Sequence, residues 1–210
     1  MVHILDQFPT PYVDAQTLLA QLSDYKNPRD WIARMVKNGD LKRLKNGFFL
    51  ISSRFQRGKI DYPYEQIANL LYGPSYVSLE WALSFYHLIP EQVEVVTSVT
   101  TASNKEFATP IGTFTYRHLS QSRYSIGINH GQVEGQVGGF LMACREKALA
   151  DMVFFSCKGM SEKELLDDLV ESKRIDLQSL KSLDKALLHA ISGQYKSDII
   201  KKLSKVIENL

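Results

Sequence analysis

One stretch decides the fold of the N-terminal part: residues 26–59, which read KNPRDWIARMVKNGDLKRLKNGFFLISSRFQRGK. The Asn27-Pro28 pair predicts the start of a helix, because Asn favours the N-cap position and Pro favours the first helical position. Apolar residues then recur at helical spacing and define one buried side: Trp31, Ile32, Met35 and Val36. Asn38-Gly39 ends this helix, with Gly39 as the expected left-handed residue.

A β-hairpin is predicted directly after this helix. Two strand-like runs, 41–44 and 48–51, flank the turn Lys45-Asn46-Gly47, and Asn-Gly between such runs is the strongest short hairpin signal. Ahead of the basic helix, Asp14 is a candidate N-cap for a short helix through Leu18, Leu19 and Leu22. The order helix, turn, helix, hairpin is that of a winged helix-turn-helix. In that unit the second helix lies in the major groove of DNA, and the hairpin contacts the backbone or the neighbouring minor groove.

The same stretch concentrates the positive charge of the chain. Residues 26–59 hold ten Lys or Arg and two Asp, a net charge of +8, whereas residues 1–25 and residues 60–210 each carry −3. The formal charge of the whole chain is only +2. Such a local concentration is expected of a surface that binds a polyanion, most often nucleic acid.

The side of the helix opposite its apolar residues supplies the candidate DNA contacts. The candidates from helix and hairpin together are Asn27, Arg29, Ala33, Arg34, Lys37, Lys42, Arg43 and Lys45. The basic residues of the helix are expected to face the major groove, where the small Ala33 permits a close approach. The basic residues of the hairpin are expected to contact phosphates. A solvated basic face on an ordinary small domain is the alternative interpretation.

The rest of the chain predicts a second domain. Polar and basic residues with Gly58 and Pro63 indicate a boundary after the hairpin. We therefore predict a winged helix-turn-helix domain over residues 1–58 and a mixed α+β domain over residues 59–210 with a helical C-terminal end. Its predicted helices include 79–88, capped by Ser78, and 177–191, and Ser161-x-x-Glu164 is a capping box before another. The fold class predicted for the whole chain is α+β.

No residue cluster typical of an enzyme stands out. The five His residues are scattered, the two Cys residues are not in a C-x-x-C motif, and neither G-x-S-x-G nor H-E-x-x-H is present. We therefore predict a protein that is not an enzyme, with no catalytic residue, metal or cofactor. The apolar runs are too short to span a bilayer, and the N-terminus lacks a signal-peptide pattern. A cytoplasmic protein with reduced cysteines and no membrane contact is expected.

Several short motifs beyond the hairpin occur in the order seen in one known family. They are Ser78–Leu83 (Ser-Leu-Glu-x-Ala-Leu), Leu88-Ile89-Pro90, the Thr97–Thr101 strand, the Thr109–His118 hairpin and the helix start Glu146–Asp151 (Glu-Lys-Ala-Leu-x-Asp). In these motifs the chain resembles the AbiEi-type antitoxins, the regulator partners in abortive-infection type IV toxin–antitoxin systems. The resemblance covers roughly residues 10–155. It departs from the pattern at Ala143-Cys144-Arg145, where relatives often carry a Pro.

The resemblance implies two activities for the chain. The winged helix-turn-helix would repress transcription of its own operon, so the first expected partner is double-stranded operator DNA. The C-terminal domain would counter a nucleotidyltransferase-like toxin encoded next door, a functional partner for which a stable complex is not required.

Two alternatives stay open. One is a winged-helix transcription factor whose second domain senses a ligand or a partner. The other is a nucleic-acid-modifying enzyme that uses the winged helix only for targeting, and the lack of an acid/base or metal cluster argues against it.

Overall fold

The computed structural model describes residues 4–54, 62–132 and 137–210, and its architecture is mixed α+β, as the sequence predicts. Its strands are β1 (Tyr12–Asp14), β2 (Leu41–Lys45), β3 (Phe48–Ile51), β4 (Ser75–Val77), β5 (Val96–Thr100), β6 (Lys105–Thr109), β7 (Gly112–His118), β8 (Ile128–Gly131) and β9 (Phe140–Ala143). Its α-helices are α1 (Ala15–Gln21), α2 (Pro28–Asn38), α3 (Tyr64–Leu71), α4 (Leu79–Phe85), α5 (Gln121–Tyr124), α6 (Arg145–Ser156), α7 (Glu162–Asp167), α8 (Leu177–Lys181), α9 (Lys185–Tyr195) and α10 (Asp198–Glu208). Short 3-10 helices cover Ile4–Gln7 and Ser52–Arg54, and a π-helix over Asp168–Ser172 follows α7.

The N-terminal residues form an antiparallel sheet of order β1-β3-β2, with α1 and α2 between its first and second strands in the sequence. The carboxylate of Asp14 accepts the backbone N–H groups of Gln16 and Thr17, each at 2.9 Å, which confirms the predicted N-cap of α1. These bonds satisfy N–H groups that a helix start otherwise leaves without partners.

Helix α2 begins and ends where the sequence predicts. Pro28 is its first residue, and Gly39 follows it in the left-handed conformation, with φ of 82°. Asn27 occupies the N-cap position, but its side chain makes no capping hydrogen bond. The predicted capping role of Asn27 is therefore wrong, and the helix start depends on the fixed φ of proline instead.

Strand β3 is covered on both faces. All of its residues, Phe48–Ile51, are buried. Phe49 and Ile51 belong to an apolar cluster with α1 and α2, whereas Phe48 and Leu50 belong to the large core formed by the second half of the chain. Successive strand residues point to opposite faces, so β3 contributes one face to each of two apolar cores. The boundary predicted at residue 58 falls within 55–61, outside the described residues.

The second sheet is mixed and has the order β6-β7-β5-β4-β9-β8. The hairpin pairs β6–β7 and β8–β9 are antiparallel, as is β4–β5, whereas β5–β7 and β4–β9 are parallel. Helix α6 is buried along most of its length and packs against α4, α9 and α10. The C-terminal end is helical, as predicted, and its helices bury a common apolar core.

The helix predicted over 79–88 is shorter than expected. Helix α4 ends at Phe85, and His87 adopts the left-handed conformation with φ of 57°. The N–H of Leu88 donates to the carbonyl of Leu83 at 2.8 Å, across the end of the helix. This is the hydrogen bond that closes a Schellman-type C-terminus. A non-glycine residue fills the left-handed position, so the sequence carried no glycine signal for the end.

The helix predicted over 177–191 is two helices in the structure. Helix α8 ends at Lys181, and α9 begins at Lys185 after the new N-cap Asp184. The Asp184 carboxylate accepts the N–H of Leu187 at 2.9 Å. A side chain that accepts the backbone N–H three residues further on favours a new helix start over a continuous helix. The capping box of Ser161 and Glu164 is confirmed, with both of its hydrogen bonds present.

Candidate nucleic-acid interface

Helix α2 has one buried side and one basic, exposed side. Trp31, Ile32 and Met35 are buried in the N-terminal core, and Val36 is half-buried beside them. The opposite side carries exposed residues at spacings of three and four: Arg29, Ala33, Arg34 and Lys37. Residues at these spacings are neighbours on a helix surface, so the three basic side chains form one patch with Ala33 at its centre. The structure therefore brings together all four helix residues named from the sequence.

The N-terminal end of α2 adds a concave surface to this patch. Lys26, Asn27 and Arg29 line a cavity of about 390 Å³ there, together with Leu19, Pro28 and Asp30. The side chain of Asn27 makes no capping hydrogen bond to the first turn of α2. A helix N-terminus carries a partial positive charge and favours an anion such as a phosphate. Asp30 is the one acidic residue among these lining side chains.

Of the three basic hairpin residues, Arg43 is the one exposed beside the N-terminal core. Its guanidinium lies 5.8 Å from the ring centroid of Phe49, its cross-strand neighbour. Phe49 belongs to the apolar cluster that supports α2, so Arg43 packs on a residue of that cluster. Arg43 is therefore an exposed basic residue of the unit that carries α2.

Lys42 and Lys45 face the second half of the chain instead. The ammonium of Lys42 donates to the Tyr62 hydroxyl at 3.2 Å. The ammonium of Lys45 donates to the carbonyls of Leu70 and Leu71, at 3.2 and 2.7 Å, which are the last residues of α3. A cation is favourable at a helix C-terminus, so Lys45 caps α3. Partial burial at this contact lowers the pKa of Lys45.

Helix α3 also joins the N-terminal sheet to the loop before β9. The hydroxyl of Tyr12 in β1 donates to the Gln66 amide oxygen at 3.3 Å. The amide nitrogen of Gln66 in turn donates to the carbonyl of Gly138 at 2.9 Å. Together with Lys45, this chain of hydrogen bonds ties the basic N-terminal unit to the second sheet. These hydrogen bonds could not be predicted from local patterns, because their partners lie 54 and 72 residues apart in the chain.

A second polar group lies deep in the core. Lys147 and Asp151, one turn apart on α6, form an ion pair of 3.0 Å, and both side chains have 0% exposure. Three hydroxyls donate to the Asp151 carboxylate: Tyr76 at 2.9 Å, Ser78 at 2.7 Å, and Tyr195. Lys147 also donates to the carbonyl of Arg123 at 2.8 Å and to the Tyr195 hydroxyl. Burial raises the pKa of the Tyr76 and Tyr195 hydroxyls, and the Asp151 charge raises both further.

This network joins two of the motifs that carry the family resemblance. Ser78 begins the motif at 78–83, whereas Lys147 and Asp151 belong to the motif at 146–151. Ser78 was predicted as a helix cap, but it makes no capping bond and its hydroxyl is committed to Asp151. Glu146 accepts the backbone N–H of Asp184 at 2.9 Å and so anchors the start of α9. These side chains are enclosed by protein, which gives them a structural role and no access to a substrate.

Among residues 4–54, 62–132 and 137–210, no group of three or more His, Cys, Asp or Glu side chains is arranged to hold a metal ion. Cys144 and Cys157 are both buried and unbridged. Burial raises the pKa of the Cys144 thiol to about 11. No helix in the described part of the chain is long and apolar enough to cross a membrane. Comparison with models of protein families and with curated proteins gives no match to this chain.

Proposed function

We propose that the N-terminal residues act as a winged helix-turn-helix and that α2 is the helix that enters the major groove of DNA. The observation that carries this proposal is the exposed patch of Arg29, Arg34 and Lys37 around Ala33. The patch lies on a helix held in place by three buried side chains. Bidentate arginine contacts to guanine are the commonest specific contact in the major groove, and lysines neutralise phosphates.

The proposed contact surface is narrower than the set named from the sequence. It consists of Asn27, Arg29, Ala33, Arg34, Lys37 and Arg43. Lys42 and Lys45 already have partners on the second half of the chain, so we assign them to holding the hairpin in place. In this arrangement the hairpin contributes one arginine to the DNA contact, and α2 contributes most of the positive charge.

We propose further that the protein is an antitoxin and the autorepressor of its own operon, as the resemblance to AbiEi-type antitoxins implies. The supporting observation is that the residues of two resembling motifs form one buried network, so the motifs specify a common core. The toxin would be a nucleotidyltransferase-like protein encoded by the neighbouring gene, opposed without a required stable complex.

A transcription factor that senses a ligand or a partner through its second half is the second candidate. The hydrogen bonds from Tyr12 through Gln66 to Gly138, and from Lys45 to α3, favour it. Through these hydrogen bonds, a conformational change that a ligand causes in the second half would reach the N-terminal unit that bears α2. Under this proposal, substitution of Gln66 by Ala would alter regulation without altering the basic patch.

Two assays run side by side test the proposal. A reporter fused to the DNA upstream of the gene measures repression, and co-expression with the neighbouring gene measures rescue of growth. The variant carries Arg29→Ala, Arg34→Ala and Lys37→Ala. A matched control carries Lys158→Ala, Lys163→Ala and Lys181→Ala, three exposed lysines of the second half.

The proposal expects the α2 variant to lose repression and to keep rescue, and the control to keep both. Full repression by a folded α2 variant would refute the DNA-binding role of α2. Wild-type protein that represses but gives no growth rescue would remove the antitoxin role and leave the sensing transcription factor.

A further inference from the structure

Two adjoining cavities lie where α3 and α4 meet the segment that leads into β5. One has a volume of about 560 Å³ and the other of about 200 Å³. They share Trp81, Gln92 and Val93 in their walls. The smaller cavity reaches the side chain of Glu65 at the start of α3. This site lies apart from the basic patch of α2, and no function has so far been given to it.

Glu65 is a largely buried side chain, and most of the acceptor positions of its carboxylate are unused. Its exposed fraction is only 9%. One carboxylate oxygen, Oε1, accepts the indole N–H of Trp81 at 2.8 Å. The other oxygen has no hydrogen-bond partner within residues 4–54, 62–132 and 137–210, and it is not one of the fully buried unpartnered atoms, so it is accessible from the cavity. Since a carboxylate has about four acceptor positions, one indole donor leaves most of them unfilled.

The charge of Glu65 is also uncompensated by any described side chain. No lysine or arginine of the described residues forms an ion pair with it. The walls of the two cavities contain a second carboxylate, Glu94, and no lysine or arginine. A largely buried carboxylate without a counter-ion is less stable than a paired one, and a cation bound in the cavity would supply the missing partner. Both charged residues of the walls, the buried Glu65 and the exposed Glu94, are negative, which favours a cationic ligand.

The other walls suit a cation that carries apolar surface. Trp81 lies against Tyr64 with ring centroids 5.4 Å apart, and the two rings line the larger cavity. Phe85 is 46% exposed and lines the smaller one, with Val93 beside it. Aromatic faces attract ammonium and guanidinium groups, with tryptophan the strongest of them. A buried carboxylate beside an aromatic wall is thus matched to an organic cation with a short alkyl stem.

We propose that this cavity pair binds a guanidinium or alkylammonium group, with Glu65 as its counter-ion and Trp81 as the residue that both orients the carboxylate and contacts the ligand. The group is either that of a small free amine or that of an arginine or lysine side chain on a partner. The proposal is independent of DNA binding, because no residue of the cavity walls belongs to α2 or the hairpin.

Calorimetric titration of the full-length protein with butylguanidinium and with the neutral, nearly isosteric butylurea tests this directly. The charged compound should bind at least about tenfold more tightly, because a charge-assisted hydrogen bond to a buried group accounts for at least that factor. The indole N–H resonance of Trp81, assigned with Trp81→Phe, should shift during the titration. The resonance of Trp31, which lies in the N-terminal core, should stay constant.

Glu65→Gln is the decisive variant. It keeps the size of the side chain and an acceptor oxygen for Trp81 but removes the charge, so butylguanidinium should bind at least about tenfold more weakly. Glu106→Gln, which neutralises an exposed carboxylate on β6, is the matched control and should bind like the wild type. A thermal melt establishes that both variants are folded. If Glu65→Gln does not fold, the comparison of butylguanidinium with butylurea on wild-type protein decides.

Two peptides distinguish the source of the cation. Acetyl-Gly-Arg-Gly-amide should bind more tightly than butylguanidinium if the natural ligand is a side chain of a partner, and acetyl-Gly-citrulline-Gly-amide should not bind. Binding of butylguanidinium without binding of the arginine peptide would identify a small free cation. The proposal is overturned if no cation binds saturably, if butylurea binds equally well, or if Glu65→Gln leaves the affinity unchanged.

Discussion

Loss of Asp151 should destabilise the protein more than loss of its buried partner Lys147. Asp151→Asn removes the charge that compensates a fully enclosed ammonium, and it weakens the acceptor of three hydroxyl groups. Removal of one member of a buried pair typically costs about 3–5 kcal/mol of the free energy of unfolding. Lys147→Met leaves Asp151 with all three hydroxyl donors, so its cost should be nearer about 1.5–3 kcal/mol.

The pH dependence of Asp151→Asn gives a second measurement. Burial lowers the pKa of Lys147 below its ordinary value of 10.5, and the neighbouring Asp151 charge opposes that shift. Without the charge the pKa of Lys147 falls further. Between the lowered folded value and 10.5 the unfolded chain binds more protons than the folded chain, so stability rises with pH. The deficit of Asp151→Asn relative to wild type should therefore shrink as the pH rises towards 10.5.

Urea denaturation of the wild type, both single variants and the double variant measures these quantities. The double variant Lys147→Met with Asp151→Asn should cost less than the two single costs added together, because neither charge is left alone. A smaller cost for Asp151→Asn than for Lys147→Met, or a deficit of Asp151→Asn that grows with pH, would exclude this role of the buried pair.

The remaining predictions concern the N-terminal unit. Asp14→Ala should lower the free energy of unfolding by about 1 kcal/mol, because it removes the cap of α1. The hydrogen bond from the Thr17 side chain holds the pKa of Asp14 below its ordinary value of 3.8, so the cap stabilises above that pH and is lost as the pH falls through the lower folded value. Acid titration of stability should show this loss in the wild type and not in Asp14→Ala. Lys45→Met should cost about 1 kcal/mol by removing the cap of α3, with little effect on DNA affinity. If Lys45→Met has the urea midpoint of the wild type but binds DNA more weakly, Lys45 contacts DNA and does not cap α3.

Local signals in the sequence were sufficient for the N-terminal elements. Asp14, Pro28 and Gly39 each fix a backbone position through their own chemistry, so they specify the ends of α1 and α2 without help from distant residues. The apolar spacing of α2 predicted its buried side for the same reason. Helix ends that depend on a left-handed non-glycine residue, such as His87, carry no comparable signal.

Contacts between distant parts of the chain could not be predicted in this way. The continuous apolar run of β3 is a sign of burial on both faces, but the sequence does not say what covers the second face. Lys42 and Lys45 were predicted to contact DNA, but they bond Tyr62 and the end of α3, which lie beside them. The sequence does not single out Glu65 as a binding residue, because a lone acid in a first helical turn usually stabilises the helix dipole.

We propose that the exposed side of α2 binds duplex DNA, and this binding can be measured on its own. Fluorescence anisotropy with duplexes that tile the region upstream of the gene, repeated over a series of salt concentrations, measures it most directly. Neutralisation of about four phosphates by Arg29, Arg34, Lys37 and Arg43 predicts a slope of log K against log salt of about −3 to −4 for the wild type. The variant with Arg29→Ala, Arg34→Ala and Lys37→Ala should have a slope closer to zero by about 2–3 units, and it should lose the preference for one duplex. A slope near zero for the wild type, or an unchanged slope and preference in the folded variant, would contradict the account.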